Sequence, residues 1–139
     1  MTHRTRGLVI LAIELQIAVA LAIWVVLFVG TVASSGAWQW AIIPGLPLVL
    51  LGFLMLLPVT LVGTWLIDAG LHRSRAVGLA AVVPLVALWD LLVGLYFGGT
   101  LGDLTSPPAL MGALAAGLYA AAFIWARLRV AASSDTRAR

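Results

Sequence analysis

The sequence predicts an all-α integral membrane protein, a bundle of four transmembrane helices with the N and C termini in the cytoplasm. Three observations support this prediction. First, 63% of the 139 residues are hydrophobic and only 9% are charged, whereas a soluble domain carries about 25% charged residues. Second, the chain contains four apolar runs, each longer than the roughly 20 residues that a spanning helix needs. Third, all eight basic residues flank the same ends of these runs.

The four runs belong to a single membrane domain of residues 1–139. They cover residues 7–33, 41–71, 76–99 and 107–126. The first run follows a basic segment, as in a signal peptide, but it exceeds the apolar core of about 7–15 residues found there, so we predict a retained span. Pro58 and Pro84 are expected to kink spans two and three, because proline leaves a helix carbonyl without its donor. The polar tail, 131–139, is expected to be disordered.

The basic residues predict the orientation. All eight are arginines, and none lies in the connections 34–40 and 100–106. They are Arg4, Arg6, Arg73, Arg75, Arg127, Arg129, Arg137 and Arg139. Because arginine accumulates in cytoplasmic loops, both termini are predicted to be cytoplasmic. Tryptophans near the predicted membrane boundaries are typical of interfacial anchors; they are Trp38, Trp40, Trp65 and Trp125. We therefore expect a multi-pass protein of the cell (plasma or inner) membrane.

Composition argues against several kinds of site. The chain has no cysteine and two histidines, His3 and His72, which disfavours thiolate metal sites and paired-imidazole haem ligation. No metal and no cofactor is predicted. The arginines lie in short clusters beside apolar spans, so we expect contact with lipid headgroups and no nucleic-acid partner. The expected partners are the lipid bilayer and either further copies of the chain or a membrane partner subunit.

Three acidic residues are the main candidates for chemistry. Glu14 lies in span one, Asp90 in span three, and Asp68 near the inner end of span two. An intramembrane acid costs on the order of 2.5–3.5 kcal/mol and usually faces the bundle interior. By the helical rise, Asp90 lies roughly 21 Å from the inner end and Glu14 roughly 10–12 Å, so Glu14 is expected to be the shallower.

Asp68 belongs to a polar stripe on span two. Thr60, Thr64, Asp68 and His72 recur every four residues and share one face. The stripe has two interpretations. It could line a hydrated funnel open to the cytoplasm, or both threonines could bond their own helix backbone while Asp68 pairs with His72 or Arg73. We favour the second interpretation.

Asp90 begins a stripe with two glycines that predicts close packing of spans three and four. The predicted packing residues are Gly94, Gly98, Gly112 and Ala116. Asp90 itself could be a proton or cation site, or a buried polar group bonded to Tyr119 or to a freed carbonyl. With Trp24, Trp89, Tyr96 and Phe97 it could form an acidic aromatic pocket for a lipophilic cation. Membrane packing is the more usual role of such aromatics, and we favour it.

Span one carries polar groups on two sides. Glu14 shares a face with Ala18 and Ala22, whereas Gln16 projects roughly 200° away. We therefore expect one side of this span to meet another protomer or a partner subunit.

Three functions are compatible with these residues. The first is a non-catalytic accessory or structural subunit of a membrane complex. The second is a small proton-coupled transporter of lipophilic substrates that works as an oligomer. The third is a membrane-embedded enzyme that acts on a lipid or isoprenoid through Glu14, Asp68 or Asp90. No set of nucleophile, base and orienting group is recognisable in the sequence, so we favour the first.

Overall fold

The computed structural model describes residues 3–36, 39, 45–96, 105 and 107–137. In this part of the chain every regular element is a helix. The helices are α1 (His3–Ser35), α2 (Leu46–Arg73), α3 (Arg75–Ala80), α4 (Val82–Tyr96) and α5 (Pro107–Arg137). Four stretches are long and apolar enough to cross a membrane, and α3 and α4 together form the third. The all-helical prediction and the prediction of four such helices are confirmed.

The helices are arranged in a ring. Helix α1 packs on α2 and α5, and α4 packs on the same two helices, while α1 and α4 make no contact within the described residues. The order around the ring is therefore α1, α2, α4, α5. The core lies along its axis and is rich in alanine on α5, which lets the neighbouring backbones approach closely. Its residues are Ala12, Leu56, Ile67, Leu85, Trp89, Ala115, Ala116, Tyr119, Ala120 and Phe123.

A tight turn joins α2 to α3. Ser74 has extended backbone angles, and its hydroxyl accepts a hydrogen bond of 3.1 Å from the Val77 N–H, which caps α3. The backbones of α2 and α3 approach each other closely at two glycines. A Cβ added to Gly70 would lie only 2.9 Å from the Gly78 Cα. The turn lies between Arg73 and Arg75, and we call this end of the bundle the arginine end; the other is the far end.

Both internal prolines lie within helices. Helix α2 continues through Pro58 and α4 contains Pro84, while the third span is interrupted at Ala81, three residues before Pro84. The expectation of a disordered tail is wrong for residues 131–137, because α5 continues to Arg137. Extending an existing helix adds one hydrogen bond for each residue fixed, so a short polar continuation forms more readily than an isolated helix.

The surface of the bundle is apolar. Large hydrophobic side chains are exposed on all four spans, as expected where lipid solvates the exterior. Trp65 and Trp125 are also exposed, and the Arg129 guanidinium lies 3.8 Å from the centre of the Trp125 ring. Both tryptophans lie towards the arginine end, where an interfacial belt is expected. Trp38 and Trp40 fall outside the described residues.

Candidate functional site

Most of the polar stripe of α2 faces the bundle interior. Thr60, Thr64 and Asp68 are buried, whereas His72 at the arginine end is exposed. The Thr60 hydroxyl donates a 3.0 Å hydrogen bond to the Leu56 carbonyl, and the Thr64 hydroxyl donates a 2.7 Å bond to the Thr60 carbonyl. Both threonines therefore bond their own helix backbone. Because these side chains are buried, the stripe does not line an open funnel in this structure.

The same two hydroxyls also join α2 to its neighbours. Each has already donated its only proton, so each accepts from another helix. The Trp89 indole N–H on α4 donates to Thr60 Oγ1 at 3.2 Å, and the Tyr119 hydroxyl on α5 lies 2.6 Å from Thr64 Oγ1. Trp89 further contacts the Phe53 ring edge-on, with ring centres 5.5 Å apart. This satisfied polar network fixes three helices relative to one another.

Asp68 is held by an arginine that sequence reasoning did not connect with it. Arg127 Nη2 and Nε lie 2.6 and 2.8 Å from the same carboxylate oxygen. The spacing of residues on α2 predicts a partner on the same helix, at His72 or Arg73, and the predicted end of span four places Arg127 beyond it. A signal was present, because Tyr119, Phe123 and Arg127 recur every four residues and so share a face of α5.

The polar residues of α1 lie on opposite sides of that helix. Gln16 is buried and its Nε2 donates to the Phe53 carbonyl. Glu14 is exposed on the outer side, as are Ala18 and Ala22. An acid therefore lies on the part of α1 that contacts no other described helix of the bundle.

The relative depths of the acids also differ from the sequence estimate. Gln16 is hydrogen-bonded to Phe53, and Trp89 is hydrogen-bonded to Thr60. On α2, Phe53 lies seven residues, or about 10 Å, farther from the arginine end than Thr60. Glu14 lies only about 3 Å closer to the arginine end than Gln16. It is therefore farther from the arginine end than Asp90, which follows Trp89 directly. The expectation that Glu14 is the shallower acid is wrong, because α1 does not begin level with α3.

Asp90 has a buried carboxylate oxygen that accepts no hydrogen bond from the described residues. This oxygen is Oδ1, and the residue is 9% exposed. The expected bond to Tyr119 is not formed, since the Tyr119 hydroxyl pairs with Thr64. Asp90 borders a groove of about 620 Å³ between α4 and α5, which we call the Asp90 groove. Among the described residues that line it, Asp90 alone is ionisable.

Two of the aromatic candidates border a different space. Trp89 and Tyr96 line a cavity of about 570 Å³ towards the far end, and Asp90 is not part of its wall. The Tyr96 hydroxyl donates a 3.2 Å hydrogen bond to the Leu48 carbonyl. The structure therefore does not bring Asp90, Trp89 and Tyr96 together in one acidic aromatic pocket.

Small residues bring α4 and α5 together near the Asp90 groove. A Cβ added to Gly112 would lie 2.8 Å from the Trp89 carbonyl oxygen and 2.7 Å from the Val93 Cβ. Gly94 and Ala116 are buried, while Gly98 lies outside the described residues. A Cβ added to Gly117, on the wall of the Asp90 groove, would meet nothing within 4 Å.

The three acids thus occupy three separate environments. Asp68 is paired with Arg127, Glu14 faces outward from α1, and Asp90 faces its groove. Within the described part of the chain, no group of three or more histidine, cysteine or acidic residues is placed to hold a metal ion. No protein-family model, no curated protein and no solved structure matches the chain.

Proposed function

We propose that the chain is a non-catalytic accessory subunit of a membrane complex and that the Asp90 groove receives a transmembrane helix of a partner subunit. The observation that carries this proposal is the buried Oδ1 of Asp90, which has no partner among the described residues. A buried acceptor left unpaired costs about 1–3 kcal/mol. A partner helix that places a hydrogen-bond donor or a cation at this depth would remove that cost.

The shape of the groove supports a helix as its occupant. Its wall includes small residues from both helices, among them Ala87, Ala113, Gly117 and Ala121. In a bilayer, helices associate where small residues let their backbones approach, and a polar pair across the contact adds to the association. The exposed Val83 and Leu110 along the groove supply apolar contact area around this polar centre.

Glu14 supports contacts on a second side of the bundle. This exposed acid shares the outer side of α1 with exposed Ala18 and Ala22. In lipid, an acid on an outward face is expensive unless another chain covers it. We propose that a further partner helix or a second copy of the chain packs here, so that the protein has neighbours on two sides.

The membrane and the orientation are part of the same proposal. We propose that the chain lies in the cell (plasma or inner) membrane with both termini in the cytoplasm. The distribution of the eight arginines supports this orientation, since short cytoplasmic loops are enriched in arginine. The Asp90 groove would then lie near the middle of the bilayer, where a bare acid is most costly.

Site-directed cross-linking in native membranes tests the partner proposal. The chain has no cysteine, so each single-cysteine variant carries one defined attachment point for a photoreactive group. We expect Ala113→Cys and Ala121→Cys, which lie in the groove, to form an adduct with one partner of constant mass. Leu114→Cys and Leu118→Cys are exposed controls on the same helix that lie outside the groove, and they should not form it.

A blocking substitution makes this test specific. Gly117→Leu places bulk in the groove where the structure has open space, so it should abolish the adducts while the bundle remains folded. Adducts that form equally at the groove and control positions, or that persist with Gly117→Leu, would contradict helix docking at this groove.

A second candidate function is proton-coupled transport of a lipophilic substrate by an oligomer. Asp90 favours it as well, because an unpaired acid beside a groove of about 620 Å³ could bind a proton or a lipophilic cation in turn. The purified chain in vesicles should then accumulate tetraphenylphosphonium in response to a pH gradient. An accessory subunit without its partner should not, so this assay separates the two functions.

A further inference from the structure

The cavity that Trp89 and Tyr96 border has the size of a ligand site. Its volume of about 570 Å³ lies within the range of about 300–1,000 Å³ that is usual for small-molecule cavities. It lies between the first turns of α2 and α5 and the last turns of α4, and Ile23 of α1 also borders it. We call it the far-end cavity.

The wall of the far-end cavity is almost entirely hydrocarbon. Of the described residues, aliphatic side chains, Phe53 and Met111 supply most of it, and none of the described residues on the wall is charged. Two proline rings, Pro107 and Pro108, form its edge at the start of α5. Proline has no backbone N–H, so the first turn of α5 lacks two of the donors that a helix start would otherwise present.

The polar groups on the wall are already used within the protein. The Trp89 indole N–H donates to Thr60 Oγ1, and the Tyr96 hydroxyl donates to the Leu48 carbonyl. A polar ligand would therefore lose its bonds to water on entry without gaining a side-chain donor from the cavity. An alkyl chain makes no such demand and gains dispersion contacts with the whole wall.

We propose that the far-end cavity binds one hydrocarbon chain of a membrane lipid. An apolar cavity that stays empty deprives its lining of contacts, and the surrounding bilayer is a concentrated source of alkyl chains. Asp90 does not belong to this cavity, so the lipid site and the proposed partner groove are separate. Either can be correct without the other.

Fluorescence quenching by brominated lipid tests this site. The chain has six tryptophans, and of those that the structure describes Trp89 is the one placed in the bundle core beside the cavity. A variant that keeps only Trp89, with phenylalanine at the other five positions, is reconstituted into vesicles of phosphatidylcholine with dibrominated acyl chains. Vesicles of the same lipid without bromine are the reference. We expect bromine to remove most of the Trp89 emission, because a chain in the cavity lies against the indole.

Two further substitutions show where the bromine acts. Met111→Phe replaces a flexible side chain on the cavity wall by a rigid, slightly larger ring, so it should relieve part of the quenching of Trp89 in brominated vesicles. Leu114→Phe, three residues along α5 on an exposed position outside the cavity, should leave the quenching unchanged. Equal emission in the two vesicle types, or quenching that Met111→Phe does not relieve, would overturn the proposal.

If circular dichroism shows that the single-tryptophan variant is unfolded, the native chain supplies the same readout. The emission of Trp89 is then obtained as the emission of the native chain minus that of its Trp89→Phe variant, measured in both vesicle types. A Trp89 emission that is equal in the two vesicle types overturns the proposal, and one that is lower in brominated vesicles supports it.

Discussion

Arg127, on α5, reaches across the bundle and places two guanidinium nitrogens within 2.8 Å of one carboxylate oxygen of Asp68 on α2. Its side chain is 25% exposed and that of Asp68 is 5% exposed, so the pair lies at the boundary between the core and the arginine end. Side chains of a helix lean towards its N-terminus, and this direction lets an arginine near the end of the span extend back to the acid. The pair joins two helices that face each other across the ring.

Removal of one partner of this pair should destabilise the bundle. We expect Asp68→Ala to lower the free energy of unfolding by about 1–3 kcal/mol, less than for a fully buried pair because Arg127 is partly exposed. Titration with dodecyl sulfate in mixed micelles measures this change. Arg129→Ala is the matched control, since its guanidinium lies over the Trp125 ring and should contribute only about 0.5–1 kcal/mol. Equal losses for the two variants would contradict a structural role for the ion pair.

The hydrogen bond between Thr64 and Tyr119 should show energetic coupling. The two oxygens lie 2.6 Å apart in the core, and a double-mutant cycle of Thr64→Val and Tyr119→Phe isolates their interaction. We expect a coupling of about 0.6 kcal/mol and at most about 1.7, the range found for such bonds between membrane helices. Tyr96→Phe removes an exposed hydroxyl and should show no coupling with Thr64→Val.

Two glycines of α5 should respond differently to alanine. At Gly112 the added methyl would meet the Trp89 carbonyl oxygen, a backbone atom, at 2.8 Å, whereas at Gly117 it would meet nothing within 4 Å. We expect Gly112→Ala to lower stability by about 1–3 kcal/mol through overpacking. Gly117→Ala should not lower stability and should raise it by up to about 1 kcal/mol, because alanine favours a helix over glycine and the new methyl meets no neighbour. A silent Gly112→Ala in the same unfolding titration would argue against close packing of α4 and α5 at this point.

The sequence predicts the helical spans well because the hydrophobic signal is local. Twenty apolar residues in succession identify a span wherever its neighbours lie. Packing order is not local in this sense, and nothing in the apolar runs indicates that α1 and α4 lie across the ring from each other. The expectation that Glu14 lies closer to the arginine end than Asp90 is wrong for that reason. Counting residues from the ends of the spans assumes that all spans begin at the same depth.

The ion pair of Asp68 with Arg127 could not be predicted from the spacing on one helix. The four-residue repeat that includes Asp68 indicates neighbours on α2 such as His72, but it does not indicate Arg127, which lies 59 residues along the chain. Likewise the small residues of α5 indicate close contacts, but not that Trp89 and Asp90, adjacent in sequence, border separate spaces. Neighbours on a helix differ by about 100° in direction, so which space each faces depends on the packing of the other helices.

The orientation of the bundle leads to a test with reporters. We expect a tag at either terminus to be accessible only from the cytoplasm, and reporters inserted in 34–40 and 100–106 to be accessible from outside. The physical reason is the retention of arginine-rich flanks on the cytoplasmic side during insertion. Cysteines placed in the two connections and in the turn between Arg73 and Arg75 can be labelled with an impermeant reagent in intact cells. Labelling of the turn from outside would contradict the orientation and the proposal that rests on it.

The last prediction concerns Asp90, whose substitution should affect the isolated chain and the complex in opposite directions. In the chain alone, Oδ1 is buried without a partner, so Asp90→Leu removes a desolvated acceptor and should raise the free energy of unfolding by about 1–3 kcal/mol. The same variant removes the group that a partner helix would bond. It should therefore reduce recovery of the partner from native membranes and weaken the cross-links at Ala113→Cys and Ala121→Cys.

Asp90→Asn separates the remaining roles. Asparagine keeps the size and can still accept a hydrogen bond, but it carries no negative charge and exchanges no proton in the accessible pH range. If the partner presents a cation, Asn should weaken the complex nearly as much as Leu; if the partner presents a neutral donor, Asn should preserve it. Proton-coupled transport would instead be lost in the Asn variant while the purified protein stays folded. A Leu variant that destabilises the isolated chain would mean that the carboxyl has a bonding partner within the chain, and the reason to expect a partner helix at this groove would then disappear.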